Sequence, residues 1–338
     1  MRTLVCKEPF KLAYEEREKP RAKSDEAIIK ISAVGICGTD IHAYAGNQPF
    51  FSYPRVLGHE ASGVIIELGE NVSSFKVGQR VALIPYVSCD ECDACKSGKT
   101  NCCEKISVIG VHEDGAFSEY LAVPAKNILP IDDSVDFTTA ALIEPFAISA
   151  HAIRRAQLNK GDDVLVVGAG PIGLAAAAIA FADGANVVIA DTSAERRLHI
   201  QKQLRGIKTL DPINEKLEDF FGGRLPLVVI DATGNPKAMN NAVNSIRHGG
   251  KIVFVGLFKG NLEIPDPDFH KKETTMMGSR NATFEDFAKV QRLMSEGKIS
   301  ANMMLTHLFD YDELADIYEE KITKNKELIK SVILFKNR

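Results

Sequence analysis

Two short stretches bring three kinds of metal-binding side chain together early in the chain. The first reads Gly35-Ile36-Cys37-Gly38-Thr39-Asp40-Ile41-His42, and the second Gly58-His59-Glu60-Ala61-Ser62-Gly63. A thiolate, an imidazole and a carboxylate suit Zn²⁺. Three protein ligands leave a tetrahedral zinc one open position, which separates a catalytic site from a closed structural one. Such a zinc lowers the pKa of bound water to about 7 and can act likewise on a substrate hydroxyl, so the chemistry on offer is alkoxide formation. A single Cys or His in an apolar stretch is ordinarily a core residue. Here the histidine stands between Gly58 and Glu60, and a second cysteine cluster lies downstream, which favours the metal.

That cluster is Cys89, Cys92, Cys95 and Cys103. Four thiolates at this spacing can close a tetrahedron around zinc with no open site. Adjacent Cys102 competes for the last position, and Cys103 is preferred. A disulfide framework would need an oxidising compartment. Met1–Pro20 is rich in Lys, Arg and Glu and lacks the apolar run of an export signal, so a cytoplasmic location is expected, with a structural zinc lobe at about residues 86–104. Cys6 and Cys102 remain as free thiols. A length of 338 residues suits about two domains, and 45% apolar with 25% charged residues is ordinary for a globular protein. A net charge of −4 and a pI near 6.1 argue against nucleic acid or an anionic membrane as the main partner.

The elements around a glycine loop point to a nucleotide. Asp163–Val167 reads as a buried parallel strand, Gly168, Gly170 and Gly173 form G-x-G-x-x-G with Pro171 and Ile172 inside it, and an alanine-rich helix comes next. In this pattern the first glycine permits the turn, the second lets backbone approach a pyrophosphate, and the third permits close helix packing. The helix N-terminus faces the anion. The uncharged run 164–182 is long enough to span a bilayer, but its glycines and Pro171 break it into strand, turn and helix, so no membrane span is expected. The next strand, from Asn186, ends at Asp191, whose carboxylate can accept from a ribose 2′-OH and repel a 2′-phosphate, favouring NAD over NADP. Arg196 and Arg197 would lie near a 2′-phosphate or on a solvated helix face. Further strands end near Thr233, on the adenosine side, and at Val255 and Gly256, near the nicotinamide. This alternation predicts a doubly wound parallel sheet.

On these motifs, with Gly110 to Tyr120 and Glu144-Pro145 in the same order, the chain resembles the zinc-dependent medium-chain alcohol and polyol dehydrogenases over essentially its whole length. The resemblance implies an α/β protein: a GroES-like, mostly β catalytic domain over 1–147, a Rossmann NAD-binding domain over 148–281, and a segment 282–338 returning to the catalytic domain. It implies two zinc ions per subunit, one catalytic and one structural, NAD as cofactor, and a homo-oligomer, dimer or tetramer. Cys37 and His59 would hold the catalytic zinc, with Glu60, Glu144 or both in turn as the third ligand. Thr39 would take the alcohol proton and His42 pass it to solvent through the nicotinamide ribose, unless His42 is a plain surface residue. Asp40 would orient the loop or the ligands.

Three stretches, 46–60, 101–112 and 273–283, are similar to the sugar-acid members of that family. This implies oxidation at C5 of L-gulonate or L-galactonate, giving D-fructuronate or D-tagaturonate. A carboxylate needs a cation, and Arg280 offers two parallel hydrogen bonds; its other reading is an interdomain ion pair. Lys271 and Lys272 are alternative cations or solvated residues. Asn47, Gln48, His112, Glu113 and Asn281 are candidates for substrate hydroxyls, and Phe50, Phe51, Ile84 and Phe117 for excluding water, or simply for the core. A polyol or L-threonine dehydrogenase of the same family is the runner-up. A zinc-ribbon nucleic-acid binder is the reading from another class, opposed by the acidic charge.

Overall fold

The computed structural model describes residues 1–48 and 51–336. Its chain contacts define two units, Met1–Glu144 with Thr283–Ser295 and Leu305–Arg338, and Pro145–Ala282 with Glu296–Met304. The stretch 296–304 thus departs from the sequence reading, which assigned all of 282–338 to the first unit. Its apolar residues Ile299, Ala301 and Met303 are buried, and Met303 O lies 2.7 Å from Nε2 of His199, a residue of the helix Ala194–Gln203 in the second unit.

The first unit is built on the long strand Glu26–Ile36. It pairs antiparallel with Glu60–Leu68, with Tyr120–Pro124 and with the C-terminal strand Lys330–Leu334. Together with Arg80–Leu83, Ile128–Pro130 and Leu305–Asp310 these make a seven-stranded sheet, beside a three-stranded sheet led by Arg2–Glu8. Leu4, Ile29, Val34, Leu57, Ile65, Phe117 and Tyr318 lie in their common core. Strand register gathers three polar side chains at one end of the larger sheet. Gly35 is opposite Glu60, and Ile36 is opposite Ser331. Cys37, which comes directly after the central strand, therefore meets Glu60 and Lys330, which open its two neighbours.

In the second unit six parallel strands run in the order 208–210, 186–190, 163–167, 228–231, 251–254 and 275–278. This is the doubly wound order of a Rossmann sheet, with its switch point between 163–167 and 228–231. The run Asp163–Val167 is almost entirely buried, as a strand covered on both faces must be. The helix Pro171–Ala182 has no charge and is buried along most of its length. Among the described residues no helix is long and apolar enough to cross a membrane.

Gly173 closes the turn between this strand and helix. A Cβ there would lie 1.8 Å from Gly168 O, a backbone atom that cannot rotate away. Gly173→Ala should therefore lower stability by about 1–3 kcal/mol or more, the usual scale for overpacking, and weaken dinucleotide binding. Thermal melting and titration with NADH fluorescence check this, and an unchanged Tm would contradict it.

Candidate metal centres and cofactor loop

Cys37 caps the short helix Gly38–Tyr44, and Asp40 in that helix's first turn organises the residues around it. Asp40 Oδ2 accepts from Cys37 N at 2.8 Å and Oδ1 accepts from Gly58 N at 3.1 Å. The same Oδ1 lies 3.7 Å from His59 Nδ1. One buried carboxylate thus ties the Cys37 loop to the Gly58-His59-Glu60 turn. Gly58 has φ +91, and a Cβ on it would lie 2.7 Å from the Phe117 ring. Phe117 is 0% exposed in the core. Of its two sequence readings, excluding water and belonging to the core, the structure shows the second: it is a core residue that backs the turn. Ile84 is buried as well, Phe51 is half-buried and packs on the core, and Phe50 lies outside the described residues.

Ligand atoms of Cys37, His59 and Glu60 lie within 4.8 Å of one another. Glu144 is not in that group, although it is buried beside it and accepts a hydrogen bond from the Tyr86 hydroxyl. Burial, opposed by His59 and reinforced by Glu60, pushes Glu144 up to about 7. Burial alone would lower His59, but Asp40 and Cys37 raise it well above its ordinary value. His59 Nδ1, Glu60 Oε2 and Glu144 Oε2 are buried without hydrogen-bond partners among the described residues. A buried set with more anionic groups than cations, and with unmatched lone pairs, is costly unless a cation joins it. The donor set therefore fits Zn²⁺, which Cys37, His59 and Glu60 would hold.

Cys89, Cys92, Cys95 and Cys103 also place their sulfurs within 4.8 Å of one another. The pairs Cys92–Cys95 and Cys89–Cys103 are each 3.4 Å apart, far beyond a bond of about 2.05 Å. Zn–S bonds of about 2.3 Å at tetrahedral angles would separate sulfurs by about 3.8 Å. Backbone N–H groups of Glu104 and Cys95 lower the Cys92 thiol to about 6, while burial and the neighbouring thiols push Cys95 up to about 12. Four thiolates cannot share this space without a cation. Cys102 is exposed and outside the set.

In the second unit Gly168 has φ +96, and a Cβ on Gly170 would meet nothing within 4 Å. That open space borders the N-terminus of Pro171–Ala182, where Gly170 caps without a side-chain bond. It suits a pyrophosphate. Ile172 O accepts from Ser149 Oγ at 2.9 Å. Asp191 Oδ2 accepts from Ala169 N and Oδ1 from Ser193 N, both at 2.8 Å, and Arg196 stands 3.7 Å away. The carboxylate is thereby locked against the glycine turn. The Thr233 hydroxyl donates to Asp231 Oδ1 at 2.7 Å and accepts from Asn235 N at 3.0 Å, so it shapes its own turn. Val255 and Gly256 both direct their N–H groups to Asp231 O. A Cβ on Gly256 would lie 2.2 Å from Gly234 N, which is why glycine stands there.

Thr39 Oγ1 lies 3.7 Å from Cys37 Sγ, and His42, three residues on along the same helix, is exposed. Asn47 and Arg280 are exposed, and Asn281 is half-buried with φ +53. His112 Nδ1 accepts from Val108 N, and Glu113 accepts from Ser107. Lys272 is not a solvated cation: it donates to Val243 O and Ile246 O and closes a 3₁₀ turn. Sequence reasoning missed Tyr86 and Lys330. Lys330 Nζ donates to Glu60 Oε1 at 2.5 Å across 270 residues of chain. The only signal was a lysine opening an apolar terminal strand.

Comparison with known proteins agrees with this geometry. Residues 23–133 match the alcohol dehydrogenase GroES-like domain, and residues 171–296 match the zinc-binding dehydrogenase family. L-galactonate-5-dehydrogenase of Escherichia coli K12 is 64% identical, with 99% of each chain covered. The starvation-sensing protein RspB of the same organism is 39% identical over 94% of each chain. The crystal structure of the alcohol dehydrogenase rspB from E. coli CFT073, complexed with NADH, superposes with a TM-score of 0.92 at 35% identity, covering 99% of both chains.

Proposed function

The chain belongs to the zinc-dependent medium-chain alcohol dehydrogenases, and from that premise we propose that it oxidises a sugar acid, L-galactonate before L-gulonate, at the C5 hydroxyl with NAD as acceptor. The near full-length likeness to L-galactonate-5-dehydrogenase carries this reading. Oxidation at C5 of L-galactonate gives D-tagaturonate, and of L-gulonate D-fructuronate; both are 5-keto acids.

Bound zinc would acidify the alcohol, and NAD would accept the hydride. Cys37, His59 and Glu60 hold the metal, and Asp40 fixes the two loops that carry them. Glu144, held by Tyr86, is the reserve carboxylate. Thr39 and His42, at i and i+3, share one helix face. Thr39 takes the alcohol proton beside Cys37, and exposed His42 passes it to solvent. Gly168, Gly170 and Gly173 cradle the pyrophosphate, while Asp191 selects a free ribose 2′-OH. Arg280 grips the substrate carboxylate and Asn281 a hydroxyl. Cys89, Cys92, Cys95 and Cys103 hold the second zinc. Seven cysteines with no disulfide among them suit a reducing compartment, so the protein is read as cytoplasmic; from its family it is also read as a homo-oligomer.

The test is NADH formation with L-galactonate, L-gulonate, D-gluconate, sorbitol and L-threonine, each with NAD⁺ and NADP⁺. We expect turnover to be strong only with one or both L-hexonates and with NAD⁺. Sorbitol or threonine as the preferred substrate would discard the sugar-acid reading and keep the zinc–NAD chemistry.

A further inference from the structure

Lys330 and Glu60 form an ion pair whose side chains are 3% and 0% exposed. Burying two charges costs several kcal/mol per ion, and an apolar pair of like volume is often no worse for stability. A pair in such a place invites a role beyond holding the fold. Its position supplies one. Glu60 Oε1 is taken by Lys330, while Oε2 is buried without a hydrogen-bond partner among the described residues. The carboxylate lies over Gly35, where a Cβ would stand 2.1 Å from Oε2, so the strand has been cleared to let it lie there. Of the two carboxylates beside Cys37 and His59, Glu60 has the cation, whereas Glu144 has the neutral Tyr86 hydroxyl. Only the sheet register brings Lys330 here, since its strand runs antiparallel to the one that ends at Cys37.

We propose that Lys330 is a positioning residue for the catalytic metal: it anchors one oxygen of Glu60 so that the carboxylate presents the other oxygen alone to the ion. Lys330 thereby makes Glu60, rather than Glu144, the third ligand and limits it to one-oxygen binding. This rests on the assignment of Cys37, His59 and Glu60 to zinc. Glu60 without its ammonium partner is free to turn, to bind through both oxygens, or to yield the metal to Glu144.

The test is Lys330→Met in the full-length protein, with Cys37→Ser alongside. Bound metal per subunit is measured after dialysis against graded chelator, and the visible absorption is recorded after cobalt(II) replaces the catalytic zinc. Loss of a partner that orients a metal ligand commonly costs about 10–100-fold in metal affinity. We expect that loss at one site, a changed cobalt spectrum, and an unaltered second site. Wild-type metal affinity with an unchanged spectrum would overturn the proposal and leave Lys330 a structural residue. If Cys37→Ser also keeps both metals, the metal assignment itself has failed, which is a separate result. Should the methionine variant not fold, Lys330→Ala removes the donor to Glu60 Oε1 without filling its place. It is judged by the same two readouts: a tenfold loss supports the role, and no change refutes it.

Discussion

Cys37→Ser is expected to reduce turnover by roughly 10³-fold or more, because it removes a ligand from the metal that stabilises the developing negative charge. That stabilisation amounts to several kcal/mol, and each 1.36 kcal/mol is about tenfold in rate. A neutral serine hydroxyl is a poor replacement for a thiolate on zinc. The fold should survive. Cys37 contributes its N–H to Asp40 Oδ2, and that backbone bond does not depend on the side chain. Zinc analysis should show one of the two equivalents implied by the two ligand clusters missing, with the melting temperature close to that of the parent. A variant that turns over at the parent rate would remove Cys37 from the metal site. One that loses activity with both zincs in place would make it a catalytic group of another kind.

The second large effect is on stability. In the stretch 88–106 the buried residues are Cys95, Asn101 and Cys103. Its regular structure is a four-residue helix, Asp93–Lys96, and a three-residue 3₁₀ turn, Thr100–Cys102, closed by two-residue strands at Tyr86–Val87 and Ser107–Val108. Elements this short are not stable alone, and the stretch buries no large apolar side chain of its own. Structural zinc in small modules contributes about 10–16 kcal/mol of apparent binding energy, which is then folding energy. Cys95→Ser should release that zinc, open the lobe to proteolysis between 88 and 106, and lower Tm by many degrees. Limited proteolysis with mass analysis and a zinc assay decide the matter. A lobe that stays protected with the metal gone would mean that its backbone bonds suffice.

Both expectations start from motifs that the chain displays locally. Gly58-His59-Glu60, the four cysteines and the glycine loop are each held within a few residues by turn chemistry, so spacing alone announces them. The strand from Asp163, the helix after Gly170 and the strand ending at Asp191 were equally legible, because apolar runs and glycines obey local backbone rules. Phe117 was not. A phenylalanine between glycine-rich turns is the same in sequence whether it faces a ligand or backs a loop, and only its contact with Gly58 separates the two. The turn bonds of the Thr233 hydroxyl to Asp231 and from Asn235 were likewise not legible from spacing. The stretch 296–304 went to the second unit because its apolar residues pack there, and nothing in its composition says so.

The sequence by itself determined the class of protein: a catalytic-type and a structural-type zinc ligand set, a dinucleotide turn and a doubly wound sheet. Those features depend on residues close together along the chain. The tertiary structure alone decided which carboxylate stands with Cys37 and His59, and that Asp40 ties their two loops together. It alone set Lys330 against Glu60. Those facts depend on strand register, where a one-residue shift reverses every side chain, and register is settled by the packing of the whole sheet.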